Sequence, residues 1–141
     1  MRHFSMKTKL AAVLFLFVAG TVFAADVSDT GGLGQARSYK SAVVSVASSG
    51  DNTIVALVAS KKIKVYAISI NFAGTVTAKW KDGASTDLTG AQSFQTREGY
   101  TISVTPPSYL FTTSAGNALI LNLSDAIGAR GWISYWDDDG A

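Results

Sequence analysis

The chain has 141 residues, twelve basic and ten acidic side chains, one histidine and no cysteine. That length suits one domain. Without cysteine there are no disulfides or thiol chemistry, and with the only histidine at His3 the body of the chain cannot build a Ser-His-Asp or Cys-His centre, or a histidine-bound zinc site.

The first segment reads as a secretory signal peptide over 1–24. Lys7 and Lys9 form its basic start, an apolar run covers Leu10 to Ala19, and small residues lead to a cleavage point after Ala24. Met6 opens the same pattern more tidily than Met1, and the run is short for a bilayer span. Cleavage would remove Arg2, Lys7 and Lys9, leaving nine basic against ten acidic residues, a net charge of −1. A near-neutral domain carries no electrostatic footprint for nucleic acid. The remaining chain is expected to be exported, to hold together by burial alone, and to have no membrane span.

Residues 25–38, which include "DVSDTGGLGQARS", show no period and read as a flexible Gly/Ser-rich arm. A β-rich domain is expected over 39–136. Its runs are 39–47, 53–59, 63–72, 75–80, 87–94, 100–105, 118–124 and 132–136, separated by turn signals. The second run is apolar at nearly every position, as if buried on both sides. The third presents Ile63, Val65 and Ala67 and then Ile68, Ile70 and Phe72, so its faces exchange. Either a bulge near Tyr66 reverses the faces there, or both faces are covered at the middle of the strand, one by the opposing sheet and one by a neighbouring subunit. In the fourth, Val76, Ala78 and Trp80 share a face; in the sixth Tyr100, Ile102 and Val104 point inward; in the seventh Leu119, Leu121 and Leu123 align. About eight short strands at even spacing predict an all-β antiparallel sandwich with jelly-roll-like connections. Residues 137–141, "DDDGA", read as an acidic, solvated tail.

Chemistry is sparsely provided. Glu98 is the only glutamate and the aspartates fall in turns or at the ends, where their usual work is local backbone hydrogen bonding. Neither an enzyme nor a cofactor is expected. "GGLG" (31–34) lacks the spacing of a phosphate loop, adjacent Asp137, Asp138 and Asp139 lack the alternation of a calcium loop, and the triplet at 122–124 lies inside a strand. No metal site is expected. Lys61 and Lys62 belong to "SKKIK", a cluster that either guards a strand edge or meets an anionic surface glycan. In "GWISYW", Ile133 and Tyr135 facing inward would put Trp132 and Trp136 together on the outer face. Three roles stand open for that pair: a subunit interface, a cap under the loop at 105–117, or a sugar platform joined by Tyr109.

The segments "SGDNTIVALVASKKIKVYAISI" (49–70), "DLTGA" (87–91), "LFTTSAGNALILNLSDA" (110–126) and "GWISY" (131–135) resemble, in order and spacing, small β-sandwich structural proteins of tailed phages and prophages, of the head-decoration or tail-fibre-associated type. The resemblance implies a non-enzymatic module displayed in several copies on a particle surface, which stabilises the particle or touches glycans. The leader departs from that pattern and points to an exported version. The expected function is therefore that of a structural or adhesive surface protein that forms a homo-oligomer or decorates a larger assembly, with a secreted carbohydrate-binding module as the alternative.

Overall fold

The computed structural model describes residues 37–139. The expected signal peptide, the expected arm up to residue 36, and residues 140–141 of the expected tail lie outside the described residues. Ten strands follow in order: β1 (Tyr39–Val46), β2 (Gly50–Val55), β3 (Lys62–Phe72), β4 (Val76–Asp82), β5 (Thr86–Asp87), β6 (Gln92–Phe94), β7 (Gly99–Ser103), β8 (Phe111–Thr112), β9 (Leu119–Leu123) and β10 (Ala129–Asp138). There is no helix among the described residues.

The strands form two antiparallel sheets. The front sheet runs β1-β10-β3-β7, with β8 beside β3; the back sheet runs β2-β9-β4-β5, with β6 beside β4. If β5 with β6 and β7 with β8 are each taken as one interrupted strand, the chain is a long hairpin. Its arms pair β1 with β10, β2 with β9, β3 with β7–β8 and β4 with β5–β6. Rolling that hairpin brings β10 against β3 and β9 against β4. This is an eight-strand jelly roll, as the strand spacing predicts. The ten-strand count arises because the weak run 87–94 is two short pieces, and the loop through Phe111 contributes β8.

The expected bulge is present. Ser134 of β10 faces Ala67 of β3 and Tyr135 faces Val65, so Tyr66 is the extra residue. It lets Ile63 and Val65 on one side, and Ile68, Ile70 and Phe72 on the other, all reach the core. From the back sheet Val76, Ala78, Trp80, Leu119, Leu121 and Leu123 meet them. Each of the valine, leucine, isoleucine and phenylalanine side chains contributes about 1.5–3 kcal/mol on burial. The sheets are also tied by one polar contact: the Trp80 indole N–H donates to the Tyr100 hydroxyl at 2.7 Å.

Two strands differ from expectation. β2 begins at Gly50, inside the predicted turn, and ends at Val55, because its partner β9 extends only from Leu123 to Leu119. Past Val55 the chain leaves the back sheet for β3, and Leu57 and Val58 are exposed rather than buried on both sides. In β7 only Tyr100 packs on the core; Ile102 is exposed, on the edge strand of the front sheet.

Gly99 and Gly131 lie on either side of β3. A Cβ at Gly131, whose φ is +155°, would stand 1.9 Å from the Ser69 carbonyl oxygen, and one at Gly99 would stand 2.1 Å from that of Ile70. Gly131→Ala and Gly99→Ala should each lower stability by about 2 kcal/mol or more, whereas Gly90→Ala should change it by less than about 0.5 kcal/mol. Gly90 has no atom within 4 Å of a Cβ position. Urea unfolding of the three variants checks this contrast.

Candidate functional site

The outer faces of the two sheets are finished differently. On the back sheet, polar partners meet one another. The Lys81 ammonium, nearly buried, donates to both Asp51 carboxylate oxygens at 3.0 and 2.8 Å and to the Ala84 carbonyl at 2.6 Å. Asn122 donates to Asp51 at 2.5 Å, and Lys79 pairs with Asp87 at 2.9 Å. The bonds from Lys81 first, and then that from Asn122, hold the Asp51 carboxyl below its ordinary value.

The outer face of the front sheet carries aromatic and arginine side chains. Alternation along β10 puts Arg130, Trp132, Ser134 and Trp136 on it, as predicted from Ile133 facing inward. The two tryptophans have different surroundings. Trp136 is 1% exposed, because Tyr39, Tyr66 and Tyr109 pack around its ring at centroid distances of 6.0, 5.7 and 6.3 Å, and the Arg37 guanidinium lies over it at 5.8 Å. Its indole N–H has no acceptor among the described residues. Tyr109 comes from the loop at 104–110, which is fixed along β3 by Val104 N–H to the Tyr66 carbonyl and Leu110 N–H to the Val65 carbonyl. Tyr109 keeps 45% of its surface exposed, with the Lys64 ammonium 5.1 Å from its ring.

Trp132 is 43% exposed and faces Val43 of β1, which is 77% exposed. Trp132 and Trp136 are four residues apart, about 13 Å along an extended strand. The structure therefore gathers Tyr109 and Trp136 into one cluster and leaves Trp132 outside it.

Lys61 and Lys62 lie where β3 begins, beside the C-terminal end of β10. Lys61 pairs with Asp139, Lys64 with Asp138 and Lys40 with Asp137, and Lys62 faces Asp138 in register. Asp137 and Asp138 are strand residues, so the basic and acidic clusters largely neutralise one another. The hydrogen bond to Asp137 is the main cause of the raised pKa of Lys40.

A second feature of the same face gave no sequence signal. Ser69, Asn71, Gly99, Thr101 and Gly131 line an open concavity of about 440 Å³, flanked by Arg97 and Arg130. Arg97 comes from the loop between β6 and β7 and has a φ of +66°. Its backbone is held on both sides, by its N–H to the Phe72 carbonyl at 2.9 Å and by the Asn71 amide donating to its own carbonyl at 2.9 Å. The Glu98 carboxylate closes the turn by accepting the Gln95 N–H at 2.6 Å. The two arginines are 33 positions apart in the chain and meet only through β3.

No family model matches the sequence, and no curated protein matches it. Among solved structures, one described as "Crystal structure of PirA" is similar at a TM-score of 0.23 and 12% identity, covering 77% of this chain and 98% of that one. No group of three or more His, Cys, Asp or Glu side chains able to hold a metal occurs among the described residues.

Two outcomes follow from these surroundings. Trp136→Ala should cost about 3–5 kcal/mol as a large-to-small change in a packed cluster, and Trp132→Ala less than about 1 kcal/mol, both read by urea unfolding. Asp51→Asn should cost about 2 kcal/mol at neutral pH, the worth of hydrogen bonds to a charged group. Because folding lowers the Asp51 pKa, its contribution is complete above the unfolded value near 3.9 and is lost as the pH falls through the lower folded value. The stability gap between wild type and Asp51→Asn should therefore close in strong acid, as denaturation at pH 7 and near pH 2 will show.

Proposed function

We propose that the chain is an exported, non-enzymatic structural or adhesive surface module that works by associating with copies of itself through β1. The observation that carries this reading is the free edge of that strand. β1 is eight residues long and pairs only with β10; among the described residues no other backbone hydrogen bond reaches it. It has no proline and no bulge, and its one charge, Lys40, is already paired with Asp137. An unguarded edge of this kind is a template for another strand.

A second copy fits it best. Antiparallel pairing about a two-fold axis at Val43 sets Lys40 against Val46 of the second copy, so no like charges meet. It also lines up Trp132, Val43, Val43 and Trp132 in one apolar row across a continuous sheet. Repetition of such contacts suits a particle surface or other larger assembly, in keeping with the resemblance of the sequence to phage structural proteins. A second reading, a carbohydrate-binding module, is favoured by the exposed rings of Trp132 and Tyr109 on that same face.

Light scattering on the full chain without its expected leader tests the association. Wild type should be dimeric or larger at micromolar concentration, and Val43→Lys, which places a charge at the centre of the edge, should be monomeric with unchanged far-UV circular dichroism. A wild-type monomer at that concentration would overturn the proposal, as would association unaffected by Val43→Lys.

A further inference from the structure

Every ion pair among the described residues uses a lysine, and neither Arg97 nor Arg130 has a carboxylate partner there. These two guanidinium groups flank one concavity. Arg97 occupies a left-handed backbone conformation that glycine or asparagine would take at lower cost, yet two hydrogen bonds hold it there. At Gly99 and Gly131 the neighbouring strands approach β3 too closely for a Cβ, which would stand against the Ile70 and Ser69 carbonyl oxygens. The floor of the concavity offers the hydroxyls of Ser69 and Thr101, bonded to each other at 2.9 Å. Trp132 stands at its rim, opposite Ser69 in register and two residues from Arg130 on the same strand face.

We infer that this concavity binds an acidic saccharide, with its carboxylate or sulfate held between Arg97 and Arg130 and its ring on Trp132. A guanidinium presents a planar fork that matches such oxyanions, and an indole gives the apolar face of a pyranose a flat support. The hydroxyl pair on the floor can donate to and accept from sugar hydroxyls. The site lies on β3, β7 and β10 and does not need the β1 edge. It gives the carbohydrate-binding reading a ligand class and rests on that reading.

Titration calorimetry on the full chain at low salt tests it with four probes: an oligogalacturonate, a sulfated heparin oligosaccharide, a neutral cello-oligosaccharide and inorganic sulfate. One of the acidic oligosaccharides should bind, and the neutral oligosaccharide and sulfate should bind at least about tenfold more weakly. Arg130→Gln, Arg97→Gly and Trp132→Ala should each weaken that binding about tenfold, while Lys79→Gln, on the back sheet, leaves it unchanged. Arg97→Gly relieves the backbone strain, so its loss of binding should come without loss of thermal stability. Absence of binding by both acidic probes overturns the inference, as does sulfate binding as tightly as the sugar. If Trp132→Ala weakens binding while both arginine variants bind like wild type, the anionic subsite is wrong and the aromatic carbohydrate reading stands.

Discussion

β3 is the strand from which the front sheet takes its geometry, and the bulge at Tyr66 is what lets it do so. A regular eleven-residue strand would send either Ile63 and Val65 or Ile68, Ile70 and Phe72 away from the core. The extra residue reverses the alternation once, so both sets are buried. The same reversal has a consequence on the other side of the sheet. It brings Tyr66 out beside Trp136 and sets Ser69 and Asn71, rather than their neighbours, on the outer face between β7 and β10. The packed aromatic end of that face and its open arginine end therefore share one cause.

The polar chemistry of the molecule is distributed according to the same division. On the back sheet, Lys81 is nearly buried and would be costly unless matched; Asp51 and the Ala84 carbonyl match it, and Asn122 donates to Asp51 in turn. At the end of the front sheet, Lys40, Lys61 and Lys64 find Asp137, Asp139 and Asp138. Satisfied groups of this kind stabilise and specify the fold but have little left with which to recognise another molecule. Recognition needs groups whose partners are missing, and the front sheet concentrates them: the β1 edge, the exposed faces of Trp132 and Val43, and the arginines at 97 and 130.

Much of the fold was legible because burial writes itself as period two. The face switch in 63–72 located the bulge, the alternation in 75–80 and 118–124 located the back-sheet core, and the even spacing of turns indicated the jelly roll. The errors came where a partner strand, not local composition, decides the outcome. Residues 56–59 are as apolar as a strand interior, but β9 has already ended at Leu119 and nothing is left to pair with. Ile102 has the spacing of a core residue, but it sits on an edge strand and stays exposed. The candidate site divides the same way. Alternation placed both tryptophans on the outer face, but the burial of Trp136 depends on Tyr39, Tyr66 and Tyr109, from three separate parts of the chain. The arginine pair is invisible for the same reason, since only the register of β7 and β10 on β3 brings it together.

The proposed edge contact and the proposed binding concavity lie on one sheet. Pairing of two β1 strands about an axis perpendicular to the sheet keeps both outer faces on the same side. It separates the two concavities by five strand spacings, about 24 Å. A single open site that relies on two exposed arginines and one indole binds weakly, because exposed charges are screened and a shallow surface excludes little water. In the proposed dimer, two such sites held at a fixed spacing and facing the same way would act together on a polymeric ligand, with a gain in avidity that needs no new contact. A chain with no reactive histidine or cysteine in its body can in this way be an effective surface binder, with repetition supplying the strength that each copy lacks.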